Sequence, residues 1–314
     1  MNKLTYYKDR IKWHLLMPIL RSKNVAVKES IFIFSEPRGG STWLMEILSE
    51  LPNTAAIFEP FHSHYGALDV YNWGDHFFSD EKWIAGKHGI DKILNANKFD
   101  SYQLERSPWY KLIKANNFIF KCVMGTPILP WIVTNYEFKY KPIYMLRHPL
   151  AVAASTLNNL YKRDVKINVD HRWRPNGYNL KLYNKNKDFF SEDSPVIDQL
   201  IARWCVNNHY TLNHCADKWI QIWYEEMLLN PIISLERIFS EWAIDPPRSI
   251  WNKLEKPSHS DFKKDLRSDS TEQMNKWINN YTKKELAHFQ SILDRFEIDS
   301  YRMDEALPTG LGLF

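Results

Sequence analysis

The segment Ile31-Phe-Ile-Phe-Ser-Glu-Pro-Arg-Gly-Gly-Ser-Thr-Trp43 constrains the fold of this chain more than any other. Its unbroken apolar start suits a strand buried on both faces, the habit of parallel sheets. Gly39 and Gly40 then permit a tight turn, and a helix is expected to begin near Ser41. Such a turn aims backbone N–H groups outward, and a helix start adds unpaired donors and a favourable dipole, so the segment outlines an anion cradle. Arg38, Ser41 and Thr42 supply further donors. A nucleoside-triphosphate loop would carry a lysine just before its hydroxyl residue, and none stands there.

Further apolar runs at Phe118–Met124, Ile143–Leu146 and Trp219–Trp223 read as buried strands, with helical patterns between or after them. The strongest helical stripe is Ile197, Leu200, Ile201, Trp204, Cys205 and Leu212, which makes Trp204 and Cys205 core residues. Leu235, Ile238, Phe239 and Trp242 form another stripe after Pro231, and Leu286, Phe289, Ile292, Leu293 and Phe296 a third. Strands alternating with helices predict an α/β fold in which helices cover a central parallel sheet. The 314 residues are read as one elaborated domain, with a helical extension over 1–30, a core over about 31–301 and a tail over 302–314. Ser63–Ser107, Lys162–Ser194 and Lys256–Gln273 read as irregular stretches, the places where lids and specificity segments are expected.

Ile143-Tyr-Met-Leu-Arg147-His-Pro149-Leu-Ala-Val-Ala-Ala-Ser155 repeats the passage from strand to helix, with Pro149 suited to the first helical turn. Arg147 leaves the strand end where ligands of open α/β sheets collect. Together the two segments resemble sulfotransferases that use 3′-phosphoadenosine 5′-phosphosulfate (PAPS). Pro37-Arg38-Gly39-Gly40-Ser41-Thr42-Trp43 is similar to the family's 5′-phosphosulfate loop, and Arg147 with Ser155 to its 3′-phosphate segment. Two weaker likenesses follow: Tyr224-Glu225 in a strand-to-turn passage where the family's tyrosine lies near adenine, and Gln273-Met-Asn-Lys276-Trp277 near a tryptophan that closes over the nucleotide. Lys263, Lys264, Arg267 and Ser270 precede the last of these as further 3′-phosphate candidates.

The resemblance implies a P-loop-type three-layer sandwich and sulfuryl transfer from PAPS to a hydroxyl, with no metal. Arg38 would face the leaving phosphate together with the loop N–H groups of Gly39 and Gly40. Ser41 and Thr42 would bond the phosphate and the transferring group, and Trp43 would pack near adenine. Glu59, in Ile57-Phe-Glu59-Pro60-Phe, is the expected general base, because carbohydrate and tyrosine sulfotransferases carry a glutamate shortly after this helix. Small-molecule sulfotransferases use a histidine in a K-T-H segment, whereas this chain has Lys121-Cys122-Val123. The expected acceptor is therefore a carbohydrate or glycolipid, with lipid, polyketide and protein tyrosine as alternatives and a kinase using ATP-Mg as a second. His62 and His64 are rival bases, and Tyr65, Trp73 and Trp109 are candidate acceptor contacts.

A net charge of +4 is too small for a surface that coats nucleic acid but leaves room for a local basic pocket. Cys122, Cys205 and Cys215 show no metal or disulfide spacing and read as buried thiols in a reducing compartment. The apolar stretch from Trp13 to Leu20 is short and interrupted by His14 and Pro18, so an amphipathic helix, no stable membrane insertion and a cytoplasmic location are expected. Oligomeric state has no signal in the sequence.

Overall fold

The computed structural model describes residues 16–20, 22, 29–62, 68, 71–78, 82–94, 101–162, 173–214, 217–254 and 274–310. His64, Tyr65, Cys215, Lys263, Lys264, Arg267, Ser270 and Gln273 lie outside the described residues.

Among them the sheet has the strands β1 (Ile31–Ser35), β2 (Thr54–Phe58), β3 (Asn117–Val123), β4 (Ile143–Leu146) and β5 (Ile220–Trp223), in the order β2-β3-β1-β4-β5. Every pairing is parallel. The sequence pattern follows from the layers on each side. Phe32, Phe34, Phe118, Phe120, Tyr144 and Leu146 face a core shared with the helices Pro149–Lys162, Val196–Asn213 and Lys283–Arg295. Ile31, Ile33, Ile119, Ile143 and Met145 face a second core under the helices Ser41–Leu48, Pro231–Trp242 and Arg248–Leu254. Burial on both faces is why these strands read as continuous apolar runs, and the result is a central parallel sheet in a three-layer sandwich.

After β1 the chain moves out to β2 and returns through β3, whereas after β4 it moves the other way to β5. The switch lies between β1 and β4, so the loops bearing Arg38 and Arg147 border the crevice where open α/β sheets bind ligands. The N-terminal residues 16–20 are helical, with Leu16 and Leu20 buried. Two of the stretches read as irregular contain helices: Ile84–Leu94, Ser101–Leu104 and Trp109–Lys114 in or beside the first, and Tyr178–Lys185 in the second. Gly86 and Gly89 obscured the first of these. A Cβ at Gly86 would meet the Trp83 ring at 1.9 Å, so that glycine is required by packing inside a helix. Among the described residues no helix is long and apolar enough to cross a membrane.

Candidate functional site

The turn after β1 is built as an uncapped helix start. Gly39 N donates to Glu36 O at 3.0 Å and Trp43 N to Gly40 O at 3.0 Å, and no side chain caps the Ser41–Leu48 helix. Gly40 has φ of 90°, and a Cβ there would meet the Tyr224 ring at 2.2 Å, so both backbone conformation and packing demand glycine. Arg38 is itself left-handed, with φ of 67°. Glu59 after β2 (φ 48°) and Met124 after β3 (φ 62°) share this conformation, so three neighbouring strand ends carry non-glycine residues in a region that functional loops tend to occupy.

The two segments singled out in the sequence meet here. Arg38 Nε donates to Ser155 Oγ at 3.0 Å, and Arg147 Nη1 donates to Arg38 O at 2.9 Å. The Arg147 guanidinium lies 4.5 Å from the centre of the Tyr224 ring, which in turn packs edge-on to Trp43 at 6.5 Å. Arg38, Gly40, Trp43, Arg147, Ser155 and Tyr224 are therefore brought together, with Gly39, Ser41 and Thr42 in the same turn and helix start. Its far end is firmly buttressed. His148 is fully buried, and burial pushes its pKa down to about 3, so the ring is neutral. Its Nε2–H donates to Arg302 O and its Nδ1 accepts from Leu150 N, while its backbone N–H donates to Glu225 Oε1 at 2.9 Å. Trp277 stacks on the His148 ring at 4.1 Å and is buried, so it braces the Arg147 loop from behind.

Glu59 sits at the end of β2 with both oxygens engaged. Lys121 Nζ donates to Oε1 at 2.6 Å, and Tyr102 Oη donates to Oε2 at 2.6 Å. Burial acts to raise the Glu59 pKa, but the charge and hydrogen bond of Lys121, then Tyr102 and His62, hold it below the usual carboxylate range. Lys121 is buried in the middle of the sheet and needs this counter-charge; burial lowers its own pKa, with the positive charge of Arg38 adding a smaller push in the same direction. Arg38 thus feels the Glu59–Lys121 pair electrostatically. His62 lies beside Tyr102, with ring centres 6.0 Å apart. Sequence reasoning noted Lys121 only as the start of Lys121-Cys122-Val123 and missed its pairing with Glu59, which follows once parallel register sets Phe58 beside it. It also missed Glu36, which follows β1 and is buried against Asn207.

Trp109 is exposed and packs only loosely on Tyr110, whereas Trp73 lies next to Arg203, 5.0 Å from ring centre to guanidinium. Cys122 and Cys205 are buried free thiols. Among the described residues no group of three or more His, Cys, Asp or Glu is arranged to hold a metal ion.

No family model matches the chain, and no curated protein does. Solved structures do. Mouse sulfotransferase SULT7A1 complexed with PAP is 19% identical, with 89% of this chain and 88% of that chain covered at a TM-score of 0.45. The sulfotransferase domain of the Synechococcus PCC 7002 olefin synthase is 17% identical, with 87% and 94% covered at 0.47. The sulfotransferase domain from the curacin biosynthetic pathway is 16% identical, with 86% and 97% covered at 0.45.

Proposed function

We propose that this chain is a sulfotransferase that binds PAPS and transfers its sulfuryl group to a hydroxyl. The observation that carries the reading is the Arg147–Arg38–Ser155 chain of hydrogen bonds beside an uncapped helix start. The crevice offers two anion subsites. One is the Gly39-Gly40 turn with Ser41 and Thr42; the other is Arg147 with Ser155, and Arg38 stands between them. A nucleotide with anionic groups at both its 5′ and 3′ ends fits such a pair, and Trp43 and Tyr224 offer aromatic surface for its base. A kinase reading lacks the loop lysine that a triphosphate requires.

In sulfuryl transfer an acceptor oxygen attacks in line while charge grows on the leaving phosphate, and the protein mainly positions groups and neutralises that charge. Arg38 and the loop N–H groups would do so here. Glu59 is ionised and has lone pairs beyond those bonded to Lys121 and Tyr102, so it can receive a hydrogen bond from the acceptor and orient it. Its context is that of carbohydrate sulfotransferases. The stretch after Glu59 is rich in aromatic residues, Tyr71, Trp73, Phe77, Phe78 and Trp83, a composition that suits an alcohol carried on an apolar body, such as a lipid, polyketide or phenol, at least as well as a sugar. Incubation with PAPS and panels of each alcohol class, with PAP release as readout, tests the activity and separates the classes. No acceptor-dependent PAP release from any panel, with PAP bound, would count against transferase activity.

A further inference from the structure

Two consecutive residues after β5 take hold of two consecutive residues after β4. Leu146 and Trp223 are register partners at the ends of these strands, so Arg147 and His148 leave the sheet beside Tyr224 and Glu225. The Tyr224 ring lies 4.5 Å from the Arg147 guanidinium, and Glu225 Oε1 accepts the His148 backbone N–H at 2.9 Å. The two contacts differ in exposure. Arg147 and Tyr224 are half-buried, whereas His148, Glu225 and Tyr301 are each no more than 2% exposed. Glu225 is thus closed off from a ligand in the crevice and acts on it only through the backbone that it holds.

A buried carboxylate anchors a loop well only when its remaining lone pairs are also engaged. Tyr301 Oη donates to Glu225 Oε2 at 3.0 Å, so both oxygens have partners. The Tyr301 ring is itself set edge-on against Trp204, Trp223 and His148. The next two residues continue the strap: Arg302 O accepts from His148 Nε2, and Met303 N donates to Gln290 Oε1 at 2.8 Å. Burial pushes the Glu225 pKa up, while the backbone N–H groups of His148 and Glu225, the charge of Arg147 and the Tyr301 hydroxyl all act to bring it down. Arg147 is therefore near enough for its charge to favour the carboxylate.

We infer that Glu225, locked by Tyr301, is a positioning residue that sets selectivity for the 3′-phosphate, because it fixes the backbone at His148 and with it the direction of the Arg147 guanidinium. The inference rests on the sulfotransferase reading above. An arginine held in place before the ligand arrives loses less freedom on binding, and its fork meets an anion in a fixed orientation. Without the carboxylate the His148 N–H would be left unpaired in the interior, and the loop would shift to find another acceptor. The turn expected to hold the 5′-phosphate keeps its own backbone bonds, from Gly39 N to Glu36 O and from Trp43 N to Gly40 O, so the 5′ end of a nucleotide should register little of that shift.

The test is calorimetric titration of wild type, E225A, E225Q, Y301F, R147A and E225A/R147A with PAP and with ADP, alongside the melting temperature of each. E225A should bind PAP roughly 10-fold more weakly while its ADP affinity stays within about twofold. The E225Q amide can accept from His148 N–H and donate to Tyr301 Oη, so its PAP affinity should stay within about threefold of wild type. Y301F should lose about threefold for PAP alone. In the R147A background E225A should add less than about twofold, since the side chain that it positions is gone. A merely structural Glu225 would lower the melting temperature and leave the ratio of PAP to ADP affinity intact, or would cost the same with and without Arg147; either result overturns the assignment. E225Q as weak as E225A also overturns it, since charge and not position would then be what Arg147 requires. Should E225A not fold, an unchanged ratio in Y301F has the same force. Wild type that binds PAP no more tightly than ADP would instead remove the sulfotransferase reading itself.

Discussion

Arg38 Nε donates to Ser155 Oγ across 3.0 Å, although 117 residues separate them. Arg38 belongs to the turn after β1 and Ser155 to the helix after β4, so this bond closes the topological switch point from above. Arg147 completes the link by donating to Arg38 O, which ties the Arg147 loop to the turn after β1.

Removing Arg147 should therefore weaken a bisphosphate ligand more than a ligand with phosphates at one end only. A charge-assisted hydrogen bond of this kind is worth about 1.5–3 kcal/mol, so R147A should bind PAP roughly 10- to 100-fold more weakly while ADP binding changes little. Isothermal titration with both nucleotides measures this directly, and equal loss for the two would place Arg147 away from the 3′-phosphate.

G40A should fail by two routes at once, a left-handed backbone and a Cβ placed 2.2 Å from the Tyr224 ring. A loss of about 1–3 kcal/mol is expected from the backbone conformation alone, read as a lower melting temperature together with weaker PAP binding. Y224A/G40A should recover part of the thermal stability, since it removes the atoms that the new Cβ meets.

Breaking the Glu59–Lys121 pair should be costly because it strands a buried charge. E59A is expected to lose about 3–5 kcal/mol, and the doubly apolar E59M/K121M much less. Chemical denaturation of the three proteins tests this. Similar stabilities for E59A and the double variant would mean that Lys121 finds another counter-charge.

Glu36 and Glu59 should shape the pH dependence of stability in opposite directions. The folded-state pKa of Glu59 is lowered, so its contribution is present above the unfolded value of 4.5 and is lost as pH falls below it. That of Glu36 is raised to about 7, so the native state holds its proton more tightly and stability declines as pH rises from about 4.5 to about 7. E36Q should flatten that decline in melting experiments across this window while keeping the acid-side loss.

Much of the fold was legible because the physical signal was local. β1, β3 and β4 are buried on both faces and read as runs, β5 fully buries only Ile220 and Ile222, and the Ile197–Leu212 stripe forecast the Val196–Asn213 helix. β2, Thr-Ala-Ala-Ile-Phe, is short and alanine-rich and gives no long apolar run to read. The cradle was legible as well, since Gly-Gly, Arg38 and the helix start lie within one segment. What lay hidden were relations across the sheet. Lys121 meets Glu59 only through parallel register, and Glu36 meets Asn207 across 171 residues of sequence. The Ile84–Leu94 helix escaped notice because its glycines serve packing against Trp83 and Leu68, which overrides their low helix propensity.

The most direct test of the central claim is calorimetric titration of the wild-type protein with PAP and with ADP, each with and without Mg²⁺. Two anion subsites joined through Arg38 predict that PAP binds much more tightly than ADP and that Mg²⁺ makes no difference. Equal affinity for ADP, or binding that requires Mg²⁺, would contradict the sulfotransferase reading and mark the crevice as a triphosphate site.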